Sequence, residues 1–353
     1  MPAALLNGRL CPSEETAEGD EGTMTDRPLN LRAGEWVEVK SVEEILATLD
    51  DAQSLGGLPF MPEMLPYCGK RFRVFKTAHK TCDTIHTFSI RRMANAVHLE
   101  GLRCDGEAHG GCQAGCLFFW KEAWLKRVTG DQAREARNES NAPDVSRLVA
   151  QTQHPVKEGE PVRYRCQATE LLAATAHVKR RERFDPRFYL KDLTSGNVGL
   201  RDFVRFAAFA MLNNFSLWWR GTRYPRLCGQ AGDKTPTGNL NLQAGELVQV
   251  RSKEEIMRTL NNDLRNRGLS FDVEMVPYCE NGNYRVLRRV DKIINEKSGQ
   301  MMTLPNPCIV MEGVVCSGNY SLNRMFCPRA IYPYFREIWL KRAEDGGDGE
   351  CRA

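Results

Sequence analysis

The sequence predicts a mainly β protein with an α insert, in which one β unit is used twice. Residues 29–49 recur as residues 240–260, the apolar positions in and after each block alternate as they do in strands, and the stretch between the blocks carries a helical apolar pattern. The fold class follows from this internal repeat before any single motif is considered.

Leu29-Asn-Leu-Arg-Ala-Gly-Glu-Trp-Val-Glu-Val39 matches Leu240-Asn-Leu-Gln-Ala-Gly-Glu-Leu-Val-Gln-Val250. The register holds through Glu63-Met-Leu-Pro-Tyr-Cys68 and Glu274-Met-Val-Pro-Tyr-Cys279. It slips by one residue before Phe72-Arg-Val74 and Tyr284-Arg-Val286, and by three more before Trp124-Leu-Lys-Arg127 and Trp339-Leu-Lys-Arg342. Small slips of this kind belong in loops, so the signal is that of a duplication.

Within each unit, Trp36-Val-Glu-Val39 alternates as a strand after a turn at Ala33-Gly34. Ser41 followed by Glu44, and Ser252 followed by Glu255, are capping boxes that open short helices. Arg71–Phe75 and Tyr284–Leu287 read as second strands, and Val97–Leu102 and Ile309–Val314 as central ones. The Gly-Glu-x-Val-x-Val opening, followed by a long loop and short strands, resembles an SH3-like β-barrel, a fold that carries many functions. The expected organisation is a disordered tail (1–28), a Cys-rich SH3-like repeat (29–129), a linker and helical insert (130–239), a second SH3-like repeat (240–343) and a second disordered tail (344–353).

The insert differs in character. Residues 131–160 are polar and linker-like, Val162–His177 begins as a strand and becomes helical, and an apolar helix is expected over 200–219. That helix contains Arg205, Asn213 and Asn214, which argues against a transmembrane span. The net charge of +4 is too mild to indicate nucleic acid by itself. The basic stretch at 179–183, with Arg187, Arg201, Arg205, Arg220, Arg223 and Arg226, could take an anionic ligand, although a solvated helix face is the plainer reading.

The start lacks the long apolar core of a secretory signal, so the expected compartment is the reducing cytoplasm. There, the thirteen cysteines point to metal or thiol chemistry rather than disulfides. The densest stretch is Cys104-Asp-Gly-Glu-Ala-His109-Gly-Gly-Cys112-Gln-Ala-Gly-Cys116. Cys82, Cys104, Cys112 and Cys116 form the candidate metal quartet of the first unit, with His109 as a substitute ligand. Zinc is preferred over an iron–sulfur cluster because the spacing matches no short ferredoxin run. In the second unit Cys308, Cys316 and Cys327 form a possible trio with Cys279 as fourth ligand. The plainer reading throughout is small buried thiols. Cys166, among Arg163, Arg165 and Glu170, is a third focus: it could complete the first site, act as a nucleophile, or pack on a strand. His86 and His98 read as structural.

The stretches Cys104–Leu125, Tyr164–Leu171 and Phe326–Leu340 resemble those of an uncharacterised bacterial family of Cys-rich proteins, with duplicated SH3-like repeats and a central helical insert, over residues 29–343. The resemblance implies a bacterial cytoplasmic source and no particular reaction. No Walker loop, dinucleotide fingerprint, HExxH or nucleophile elbow supplies one. Three functions are therefore carried forward. The first is a zinc-binding protein with its site in the first unit. The second is a metalloenzyme, with His109, Asp83, Asp105, Glu107 or Cys166 as candidate catalytic groups. The third is a recognition or scaffold module for a polymer, nucleic acid or partner enzyme.

Overall fold

The computed structural model describes residues 28–128, 144–179, 181–182, 185–221, 224–321 and 324–343, and they form a mainly β protein with a few helices. The expected tails, and most of the linker between 129 and 143, lie outside the described residues.

The first matching segment builds a sheet in the order Trp120–Lys121, Ala96–Leu99, Arg71–Thr77, Trp36–Val39, Leu125–Arg127. The second builds one in the order Met301–Met311, Asn283–Ile294, Leu247–Val250, Leu340–Arg342. Val37 pairs with Phe72 and with Arg127; Val248 pairs with Tyr284 and with Arg342. These registers follow the alignment of the two sequences, slips included. Alternation explains the placement: Val37, Val39, Val248 and Val250 are fully buried while Trp36 and Leu247 face outward. Both capping boxes form, Ser41 with Glu44 and Ser252 with Glu255. Each Pro-Tyr-Cys motif ends a 3-10 helix, Pro62–Tyr67 in one segment and Val273–Tyr278 in the other.

Each segment has its own core. Trp124 and Trp339 are wholly buried, and each donates its indole N–H to a threonine hydroxyl, Thr48 at 3.1 Å and Thr259 at 2.9 Å. A buried indole needs such a partner.

The segments diverge beyond Thr77. In the second, Asn283–Ile294 and Met301–Met311 form one long hairpin. In the first, the chain breaks at Ala78 and starts a separate hairpin, Lys80–Cys82 with Ile90–Arg92, to which Ala176–His177 of the insert adds a third strand. The far end of the long second hairpin lies on the Cys-rich loop of the first segment. Gln113 donates its N–H to Lys292 O at 3.1 Å, and its side-chain oxygen accepts from Asp291 N at 2.6 Å.

The insert is partly helical. Residues 167–174 form turns rather than the expected helix, with Gln167 bonding both backbone groups of Phe119 and Leu171 packing into the first core. Tertiary bonding overrides local helical preference here. A helix at Pro186–Thr194 is capped by Asp185, and Leu200–Arg220 is one continuous helix. Among the described residues no helix is long and apolar enough to cross a membrane.

Candidate metal centre

The Cys-rich loop is closed at its base by Cys104 N–H donating to Cys116 O at 2.8 Å. Inside it, Glu107–His109 make a 3-10 turn between Gly106 (φ +80°) and Gly110 (φ +77°), angles that disfavour any residue with a Cβ. A Cβ on Gly106 would also strike the backbone of Cys112, so glycine lets the two arms of the loop touch. The turn brings His109 back onto Cys104, with its Nε2 at 3.5 Å from the Cys104 sulfur.

Glu63 completes the group. It sits at the start of the 3-10 helix Pro62–Tyr67, and its Oε1 lies 2.8 Å from His109 Nδ1 and accepts from Ala108 N at 3.0 Å. Glu63, Cys104 and His109 each place one ligand atom within 4.8 Å of the other two, and among the described residues no other such trio of His, Cys, Asp or Glu occurs. The donors are a carboxylate, a thiol and an imidazole, the borderline and soft set that zinc accepts.

One atom of this group remains unsatisfied. Glu63 Oε2 is buried without a hydrogen-bond partner, and His109 Nδ1 has only its 2.8 Å contact with Glu63 Oε1. Buried polar atoms are normally paired, so a bare carboxylate oxygen beside an imidazole and a thiol marks a place where a cation would fit. Burial raises the Glu63 carboxyl, but the contact with the His109 imidazole and its charge prevails and holds it below the ordinary range. Burial drives the Cys104 thiol far upward, with the neighbouring Glu63 adding to it. An anionic thiolate is stable there only beside a cation.

A cavity of about 40 Å³ opens next to the trio, lined by Cys104, His109, Cys112, Cys116, Cys166 and Glu296 among others. At about 10–15 Å³ per water it has room for about three or four. Burial raises Cys116 to about 11 and Cys166 to about 12, so these thiols are neutral in the metal-free protein. Cys112 accepts a hydrogen bond from Ile294 N at 3.3 Å.

The structure thus brings Cys104, Cys112, Cys116, His109 and Cys166 to one cavity, with Glu63 behind His109. Cys82 lies elsewhere. Its hairpin packs on the second segment, where Cys82 N–H donates to Cys327 Sγ at 3.2 Å and Arg329 donates to Cys82 O. The four second-segment cysteines do not form one site: Cys316 and Cys327 lie near Cys82, and Cys279 and Cys308 lie elsewhere. Cys279 follows the 3-10 helix beside Val250, Cys308 lies against Arg336, Cys316 donates its N–H to Ile331 O, and Cys327 belongs with Cys82. Asp83 is committed to its own loop, accepting from Ile85, His86 and Thr87 backbone N–H groups and the Thr87 hydroxyl. Asp105 and Glu107 are exposed. His98 is wholly buried against Phe118 O, and burial lowers it to about 3. Of the basic residues of the insert, Lys179, Arg181, Arg187, Arg201, Arg205, Arg220 and Arg226 are exposed, while Arg180, Arg183 and Arg223 lie outside the described residues.

Glu63 is the residue that sequence reasoning missed. It stands in a motif shared by both segments, and the sharing reads as scaffold. The usable signal was a charged residue preceding an apolar Met-Leu-Pro-Tyr run, at a position where a carboxylate needs a partner. Comparison of the chain with protein-family models, curated proteins and solved structures finds no match.

Proposed function

We propose that this chain is a zinc protein whose metal is held by Cys104, His109 and Glu63 at the cavity of the first segment. The observation that carries the reading is the convergence of three different donors, one of them with a bare buried oxygen. Zinc is preferred over an iron–sulfur cluster because the ligand atoms that gather most tightly are a carboxylate, an imidazole and a single thiol. Three protein ligands leave a fourth position for water or a small ligand, which is the pattern of catalytic rather than structural zinc. The cavity supports that pattern, and Cys112, Cys116 and Cys166 line the space the fourth ligand would occupy. A zinc ion held there would lower the pKa of a water bound to it and polarise carbonyls.

The scaffold reading attached to this is two copies of one SH3-like unit, residues 29–129 and 240–343, around a helical insert, in a bacterial cytoplasm. Equal strand registers, paired capping boxes and paired Trp–Thr bonds support it.

Metal analysis of full-length protein, purified without oxygen, tests the site. The expected result is close to one equivalent of zinc, falling below about a tenth in Cys104→Ser and His109→Ala. Cys82→Ser should keep its metal. A wild-type protein without zinc would sink the reading.

A second reading rests on the same contacts. A thiol 3.5 Å from an imidazole, itself 2.8 Å from a carboxylate, is the arrangement of a nucleophile, its base and an orienting acid. The strong upward push on the Cys104 thiol weighs against it. Rapid, selective alkylation of Cys104 in metal-free protein would favour it over zinc.

A further inference from the structure

The helix Leu200–Arg220 is apolar on both sides. One side packs inward through Phe206 and Asn213, with Phe203 stacked on Phe326 and Phe209 against Tyr320. The other side faces solvent and carries Leu200, Val204, Ala208, Met211, Leu212, Phe215, Trp218 and Trp219. Their spacings of three and four residues place them on one face of a helix. Trp218 is 77% exposed, Met211 74%, and Leu212 and Trp219 70% each. Scattered exposed apolar residues need no explanation, but a continuous face ending in two tryptophans marks an interaction surface.

We infer that this face docks the protein on an anionic lipid bilayer, lying in the plane of the interface. Charge selects this occupant. Arg201 and Arg205 are exposed beside the apolar face, Arg220 is exposed at the helix end, and Asp202 is the helix's lone acid. A second copy laid face to face would bring these arginines near one another, with a single acid from each chain to neutralise them. Anionic headgroups pair with them instead, at about 1 kcal/mol per cation near such a surface. The width of the face agrees: Leu212 and Trp219 extend it beyond the narrow two-position seam of a helix pair. Tryptophan is favoured at the boundary between headgroup and acyl chain, and arginine stems reach back to the headgroups. The helix is too polar to span, so it lies on the surface. This inference is independent of the metal site.

Co-sedimentation of the full-length protein with vesicles tests it. Vesicles of phosphatidylcholine mixed with phosphatidylglycerol should bind the protein, shift its tryptophan emission to shorter wavelength, and release it as salt rises. Pure phosphatidylcholine vesicles should bind it far more weakly. Arg201→Gln with Arg205→Gln should weaken binding to the mixed vesicles by about tenfold or more. Trp218→Ser with Trp219→Ser should nearly abolish it, with the zinc content and circular dichroism of wild type. The inference is overturned by a protein that binds neither vesicle. It is also overturned if sedimentation velocity shows a dimer, blind to vesicles, that Met211→Glu dissociates.

Discussion

Glu63 and Glu274 occupy the same place in two closely matching segments and do different things. Glu274 is fully satisfied: Tyr320 N and Ser321 N both donate to its Oε1 at 2.8 Å, and the Ser317 hydroxyl donates to its Oε2 at 2.8 Å. Glu63 receives one backbone N–H, faces an imidazole, and keeps one oxygen bare. The loops behind them match as well. Cys104 N–H bonds Cys116 O as Cys316 N–H bonds Ile331 O. One buried carboxylate therefore pins a loop through neutral donors, and its counterpart is left with spare ligand capacity. The first arrangement holds the fold together, and the second is available for chemistry.

The sharpest way to break the comparison is to remove each carboxylate in turn. Glu274→Ala leaves two backbone N–H groups and a hydroxyl without their acceptor in a mostly buried setting. At about 1–3 kcal/mol per unsatisfied buried group, reduced by whatever water enters, a loss on the order of 3 kcal/mol is expected. Urea unfolding would read it as a lower midpoint, with zinc content unchanged in the protein that still folds. Glu63→Gln should do the reverse: zinc is lost or greatly weakened, while the metal-free variant unfolds within about 1 kcal/mol of metal-free wild type. Equal stability losses with zinc retained in both variants would end the distinction.

Gly106→Ala sharpens the same contrast at the level of the loop. The substitution is strained by its positive φ and by collision with the Cys112 backbone, so a cost of about 2 kcal/mol is expected. It should act on the metal as well, because the Glu107–His109 turn is what returns the imidazole to Cys104. Gly313 also has a positive φ but meets nothing within 4 Å, so Gly313→Ala should cost less and leave zinc in place. Isothermal titration of zinc into the two metal-free variants separates them: weakened binding in Gly313→Ala alone would contradict the proposed geometry.

Much of this was legible in the residues, and the remainder has definite physical causes. The first strands, capping boxes and the long helix have local signals, and the structure forms them close to the expected positions. The placing of Cys82 was not. Its spacing allows a hairpin beside the Cys-rich loop, but burial of Cys82, Ile90 and Val178 with Cys327 draws that hairpin to the other segment. Cys166 moved the opposite way, because Gln167 bonds the Phe119 backbone and carries its neighbour to the cavity. Glu63 was hidden because the sequence shows a shared glutamate and nothing of its partners. Those partners come from a loop 45 residues downstream, and only tertiary contact sets them.

The smallest effects should fall where the segments are alike. Thr48 and Thr259 each accept from a buried tryptophan and donate to the carbonyl of the residue three before, Ile45 at 2.7 Å and Ile256 at 2.8 Å. Thr48→Val and Thr259→Val remove the hydroxyl at nearly constant volume and leave each indole N–H buried without its acceptor. Each should cost about 1–2 kcal/mol, with zinc content untouched in both. The two tryptophans belong to separate cores, so the double variant should lose the sum. If the two single losses differ by more than about 1 kcal/mol, the segments are not equivalent scaffolds, and the contrast at Glu63 and Glu274 would have to be traced to the sheets beneath rather than to the loops above them.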